Sequence, residues 1–262
     1  MRVVTKRMND KPEICASALL LPVALILAAC QPGAVPQSLA ATPQWIAYTY
    51  LDGEKVYAPQ RLAQPPTRGS FSETEFERTP EGTRLRTVLR DGTLYVYLDV
   101  DQIWTSDPSW DVRQMLVADL DDDGQDEAAF VVWKPLTLEP SVFYDVFRFE
   151  SPFVEGSARN HLFLYGWRDG EWRATWCSSP IADPIHMMAA GDVDGDGANE
   201  LVLLEVSYDD DPDEAARHVA VWRWNGWGFT LQWRSNPGRF CDLLLEDIKG
   251  DEVPEILVQD GC

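Results

Sequence analysis

Two stretches of this chain space their acidic side chains in a way that suits a hard cation. Asp119, Asp121, Asp123 and Glu127 stand at positions 1, 3, 5 and 9 of one loop, with Gly124 at position 6. Asp192, Asp194, Asp196 and Glu200 repeat the pattern around Gly197. A cation such as calcium takes six to eight oxygen ligands at roughly 2.3–2.6 Å. A loop coiled through this spacing aims alternate side chains inward, and the glycine permits the sharp turn. A worn third copy runs from Asp247 to Glu255, with Lys249 in place of an aspartate and Glu252 in place of the glycine. The Lys249 amine can neutralise such a loop by itself, so this copy is expected to hold no metal.

The elements around these loops decide between two frames for them. An EF-hand needs a bidentate acid at position 12 between two helices. Position 12 is Phe130, Leu203 and Val258 in the three copies. Each loop is followed instead by a short apolar run: Ala128 to Trp133, Leu201 to Val206, and Ile256 to Val258. Such runs, bounded by turn signals, predict strands buried on both faces. The loops are therefore expected at the tips of β-hairpins. A solvated acidic turn is the plain alternative, because Asp and Gly favour turns; two full copies with matched flanks argue against it.

Asp-x-Asp-x-Asp-Gly-x-x-Glu between two apolar strands resembles the FG-GAP/VCBS repeat, the calcium-loop blade of integrin-type β-propellers. The likeness covers about 113–134, 187–207 and 240–260. It implies calcium at two sites. The side-chain ligands would be Asp119, Asp121, Asp123 and Glu127 in one, and Asp192, Asp194, Asp196 and Glu200 in the other. The backbone carbonyls of Gln125 and Ala198 would complete the sets.

A longer repeat frames the loops. Trp167 to Trp176 and Trp224 to Trp233 share a spacing of nine and lie 57 residues apart, while Asp192 and Asp247 are 55 apart. A period near 55 suits a four-stranded blade. Each unit reads as strand a, acidic loop, strand b, long loop, strand c, tight turn, strand d. Asp169-Gly170 and Asn225-Gly226 supply the turns. Arg84 to Trp104, broken at Asp91-Gly92, reads as a further c–d hairpin that could complete the C-terminal a–b pair. Trp45 to Gln60 reads as a degenerate hairpin of another blade. The expected fold is all-β: a small or incomplete β-propeller of four-stranded antiparallel blades with calcium-loop hairpins. Antiparallel order puts the a–b and c–d turns at one end, and the b–c and d–a loops at the other. The longest of these, Lys134 to Asn160, either carries an aromatic recognition surface or adds a strand over Val142–Phe149.

Residues 1–29 read as an export signal: Arg2, Lys6, Arg7 and Lys11 precede an apolar run from Ala16 to Ala29. Leu27-Ala28-Ala29-Cys30 resembles the bacterial lipobox, which implies a lipid-modified Cys30 and a membrane anchor without a spanning segment. Residues 30–43 then form the lipidated cysteine and a flexible tether, and 44–262 the folded domain. A net charge of −21 opposes nucleic acid and anionic headgroups as partners. The acidic run Asp209 to Glu214 reads as a solvated loop. With Glu246 opposite Ile256, the last hairpin would bring Cys241 near Cys262, and an oxidising envelope would favour a disulfide there. Cys177 is a competing partner, and three buried thiols are the alternative.

No catalytic constellation stands out. His161, His186 and His218 are widely spaced, and there is no nucleophile elbow or phosphate loop. The tryptophans, mostly at repeat positions, are expected in the blade core. The function that the resemblance implies is non-catalytic recognition or adhesion at the cell envelope, with a protein or glycan ligand. A structural subunit of an envelope assembly is the alternative, and a propeller-fold hydrolase or lyase a further one.

Overall fold

The computed structural model describes residues 44–51, 55–56, 60–62, 73–77, 84–136, 157–210 and 215–261. All of them fall in one unit, Ala41–Cys262. The export signal, Cys30, the tether, the Asp52-Gly53 turn, the Val142–Phe149 segment and Cys262 lie outside the described residues, as does most of the acidic run, at 211–214.

Every regular element among the described residues is a strand. β1 (Gln44–Tyr48) is followed by the two-residue strands β2 (Tyr50–Leu51), β3 (Lys55–Val56) and β4 (Gln60–Arg61). Next come β5 (Glu73–Glu77), β6 (Arg84–Arg90), β7 (Thr93–Leu98) and β8 (Asp101–Thr105). The first acidic loop joins β9 (Asp111–Ala118) to β10 (Glu127–Pro135), and β11 (Ala158–Arg168) turns into β12 (Glu171–Cys177). The second loop joins β13 (Ile185–Gly191) to β14 (Glu200–Glu205), followed by β15 (His218–Trp224) and β16 (Phe229–Arg234). The third joins β17 (Phe240–Glu246) to β18 (Glu255–Asp260).

These strands form four antiparallel sheets of four strands, besides a small β2–β3 ribbon. Three are sequential: β5-β6-β7-β8, then β9-β10-β11-β12, then β13-β14-β15-β16. The fourth is sewn from both ends of the domain, in the order β17-β18-β1-β4, with Ile46 opposite Val258 and Tyr48 opposite Ile256. The a–b and c–d reading therefore holds for 113–134, 158–177, 187–205 and 218–234, and it fails at the N-terminal side. Arg84 to Trp104 does not complete the C-terminal hairpin. It holds three strands, β6, β7 and β8, of a separate sheet. Asp91-Gly92 turns β6 into β7, and a second turn at Asp99, with φ +52°, makes β8. Nor does Trp45 to Gln60 form a hairpin of another blade, because β1 lies between β18 and β4 and the pair completes the last sheet.

The double-sided burial of the strands after each loop follows from the stacking of the sheets. In β10, Ala128, Phe130 and Val132 face a core shared with Leu85, Leu94 and Val96 of the first sheet. Ala129 and Val131 face a second core with Leu201 and Leu203 of β14. Val202 and Leu204 on the other side of β14 enter a third core with Ile256 and Val258 of β18. Alternation with period two thus sends one strand's side chains into two cores, and three cores join four sheets in series. Sheets stacked this way bury both faces, which is why the runs are apolar throughout rather than alternating.

The first and last strand pairs of the sheets are bulged at matching places. The pairing shifts at Val131/Val132, Ile185/Met187 and Phe240/Asp242 in the hairpins that carry the acidic loops. It shifts at Val96/Tyr97, Leu164/Tyr165 and Val221/Trp222 against β8, β12 and β16. Bulges of this kind sharpen the twist of a sheet. Gln114 of β9 locks its strand to β13 of the next sheet: its amide donates to the Met188 carbonyl at 2.9 Å, and its oxygen accepts the Met188 N–H at 2.7 Å.

Candidate metal centres

The three acidic loops share one backbone frame. The position 1 aspartate accepts N–H groups from later in its own loop. Asp119 takes those of Asp123 at 3.2 Å and Gly124 at 2.9 Å. Asp192 takes Gly195, Asp196 and Gly197 at 2.7, 3.0 and 2.8 Å. Asp247 takes Gly250 at 2.6 Å and Glu252 at 2.8 Å. Positions 4 and 6 adopt the left-handed region in each copy: Asp122 and Gly124, Gly195 and Gly197, Gly250 and Glu252. The sharp turn read from the position 6 glycine is thus real. Glu252 makes it without a glycine, at φ +69°.

The position 9 glutamates are the buried floor of the loops. Glu127 and Glu200 are fully buried, and Glu255 is nearly so. In each case one carboxylate oxygen accepts the N–H of the position 2 residue at 3.1 Å: Leu120, Val193 and Ile248 respectively. Leu120 and Val193 are themselves plugged into the cores beside their loops. Ile248, at the same position of the third loop, is 43% exposed.

In the first two loops the acids converge. Asp119, Asp121 and Glu127 bring carboxylate oxygens within 4.8 Å of one another, and Asp192, Asp194 and Glu200 do the same. The donors are all oxygens, as a hard divalent cation prefers. Asp121 Oδ1 and Glu200 Oε1 are buried without a hydrogen-bond partner, a costly arrangement unless something positive faces them. Burial first, and neighbouring carboxylates next, push Asp121 and Asp194 above the ordinary aspartate range. Burial likewise lifts Glu127 and Glu200 to about 7. Both triads could therefore hold a metal ion, and calcium is compatible with them. When bound, such an ion supplies positive charge that gathers the loop's carboxylates.

Of the expected ligands, Asp119, Asp121, Glu127, Asp192, Asp194 and Glu200 meet in the triads. Asp123 and Asp196, at position 5, stand apart. Each accepts the N–H of the residue expected to offer its carbonyl, Gln125 at 2.9 Å and Ala198 at 3.0 Å. Each also pairs with an arginine that the sequence reading missed. Arg168, at the end of β11, reaches Asp123 at 3.2 Å and the Glu127 carboxylate. Arg223, in β15, reaches Asp196, Asp194 at 3.4 Å and Glu200 at 3.9 Å. The β14–β15 register places Leu201 opposite Trp222, so Glu200 faces Arg223 one step on. That register was the missing signal. In the third loop the Lys249 ammonium lies 2.5 Å from Glu255 and 2.8 Å from the Thr49 hydroxyl.

The two triads are neighbours. Asn199 Nδ2, in the second loop, donates to the Asp119 carbonyl of the first at 2.8 Å. A cleft of about 240 Å³ lies between the loops, lined by Asp121, Asp122, Asn199, Arg223, Trp224 and Gly226.

Asp169-Gly170 is a two-residue turn with both φ values positive, while Asn225-Gly226 belongs to a four-residue loop closed by Asn225 N–H to the Gly228 carbonyl. His161 and His218 stand at equivalent places, 57 residues apart. Each lies against the carbonyl of a serine 17 residues on, Ser178 and Ser235, whose hydroxyl caps the next N–H of the strand. Glu246 pairs with Glu255 rather than Ile256, and Cys241 bulges out of the register between Phe240 and Asp242. Cys241 is held in a disulfide, and Cys177 is an exposed free thiol and not its partner. Ten of the tryptophans are half-buried, and only Trp227, at the β15–β16 turn, is open to solvent. In comparisons with known proteins, no family model, curated protein or solved structure matches this chain.

Proposed function

We propose that this chain is a calcium-stabilised, non-catalytic recognition module of the cell envelope. It is exported, anchored through a lipidated Cys30, and built as a four-bladed propeller of the FG-GAP/VCBS kind. Its ligand is a protein or a glycan, met through loops on the rigid sheets. The observation that carries the reading is the recurrence of one acid-lined hairpin tip on three successive sheets, two of them with converging carboxylates. Four sheets joined in series, with the first described strand sewn beside the last, also suit a ring.

The test is a thermal melt of the full-length protein, in detergent, with calcium and with chelator, beside Asp192→Ala and Asp194→Ala. A ligand bound only by the native state adds roughly 2.7 kcal/mol at 100 times Kd. The expected result is a calcium-dependent rise in Tm that both substitutions reduce. Equal melts in every condition would refute the calcium role. Crosslinking on intact cells tests recognition, and the expected outcome is a discrete protein or glycan adduct.

A further inference from the structure

A buried glutamate needs a positive partner, and each of the three loops finds one within the chain by a different route. In the second loop, Arg223 stands cross-strand from Glu200. The 57-residue repeat puts Gly166 at the corresponding place for Glu127. There the guanidinium comes from Arg168, two residues further along, folded back over the strand. A Cβ at Gly166 would lie 2.7 Å from Arg168 Nη1, so the missing side chain leaves the room that Arg168 occupies. In the third loop the cation is Lys249, from the loop itself. Two non-equivalent arginines and a lysine therefore reach the same carboxylate position.

From this convergence, and resting on the metal reading above, we infer that Arg168 and Arg223 are stand-in cations that hold the first two loops without metal and must leave their carboxylates for a divalent ion to bind.

Three observations at the second loop support the exchange. Arg223 contacts Asp194 and Glu200, which are two of the three acids of its triad. Glu200 Oε1 has no hydrogen-bond partner even so, with the Arg223 Nε 3.9 Å away, so the guanidinium neutralises the site without saturating it. The Arg223 side chain is 37% exposed and lines the cleft between the loops, beside Asp121 and Asp122. It thus has a solvated, acidic place to go. Lys249 differs because it sits on the backbone of its own loop at a ligand position, and no metal can replace it without that ligand.

The experiment titrates calcium chloride into the full-length, chelator-stripped protein by calorimetry, using wild type, Arg223→Met and Arg168→Met. The Nε–Hε resonances of the arginines are followed by NMR in wild type. In chelator, both variants are expected to melt below wild type. In calcium, Arg223→Met is expected to bind about tenfold more tightly, the ratio given by 1.4 kcal/mol of relieved competition. In wild type, two arginine Nε–Hε signals should shift as calcium fills the sites. If wild type binds calcium while those signals stay fixed, or Arg223→Met binds no more tightly, the stand-in role is wrong and the metal reading survives. If neither wild type nor variant binds calcium, the metal reading falls and this inference falls with it. Should Arg223→Met fail to fold, the wild-type arginine signals alone decide.

Discussion

Replacing Glu205 with glutamine isolates the cost of burying a charge at the end opposite the acidic loops. Glu205 ends β14 and is 1% exposed. Burial lifts its carboxyl to about 7, against the pull of the Arg234 guanidinium, 2.8 Å away, which Asp183 shares at 2.9 Å. Between about pH 4.5 and 7 the folded chain keeps this proton while the unfolded chain releases it. The native state therefore binds more protons there, and stability falls as pH rises through the window. A displacement from 4.5 to about 7, at 1.36 kcal/mol per unit, is worth about 3 kcal/mol. About 2–3 kcal/mol of this should be lost between pH 5 and 8.5 by the same linkage. For a domain of this size that is roughly 5–10 °C in Tm. Glu205→Gln cannot ionise and should lack this component, so its melting temperature should gain on wild type across the range. Thermal melts of both proteins from pH 5 to 8.5 measure the difference, and subtraction removes the contributions of the loop glutamates. If the two curves run parallel, Arg234 keeps Glu205 ionised throughout and the burial argument fails.

Three further outcomes can be checked by chemical denaturation. Gln114→Leu removes both bonds to the Met188 backbone and leaves two buried groups unpaired, each costing about 1–3 kcal/mol; a loss under 0.5 kcal/mol would mean that water replaces the amide. Phe130→Ala empties a fully buried site ringed by Trp104, Phe163 and Tyr165 and should cost about 3–5 kcal/mol. Glu252→Gly relieves about 1–2 kcal/mol of left-handed strain in the third loop against roughly 0.5–1 kcal/mol of glycine entropy, and should add about 0.5–1 kcal/mol; destabilisation would show that Glu252 makes a contact worth more than the strain.

Local features were legible in the sequence because their partners are close along the chain. The position 1 aspartate finds its N–H donors within five residues, so the loop frame is written in one short stretch and survives in the third copy, where Lys249 and Glu252 depart from the pattern. Tight turns such as Asp169-Gly170 are equally local. The double-sided apolar runs of β10, β14 and β18 announce burial on both faces wherever their partners come from.

What the tertiary structure alone decided involves partners that local pattern does not select. The exposed edge of β18 can be paired by any strand of suitable alternation, and β1, about 200 residues earlier, takes it. The entropy of closing a loop grows only with the logarithm of its length, so distance along the chain gives little ground for preferring Arg84 to Trp104 over Gln44 to Tyr48. Arg168 and Arg223 were missed for a related reason. A cation is required beside each buried glutamate, but a long side chain can supply it from either of two positions on the facing strand. Which one does so depends on register and on whether a residue like Gly166 leaves room.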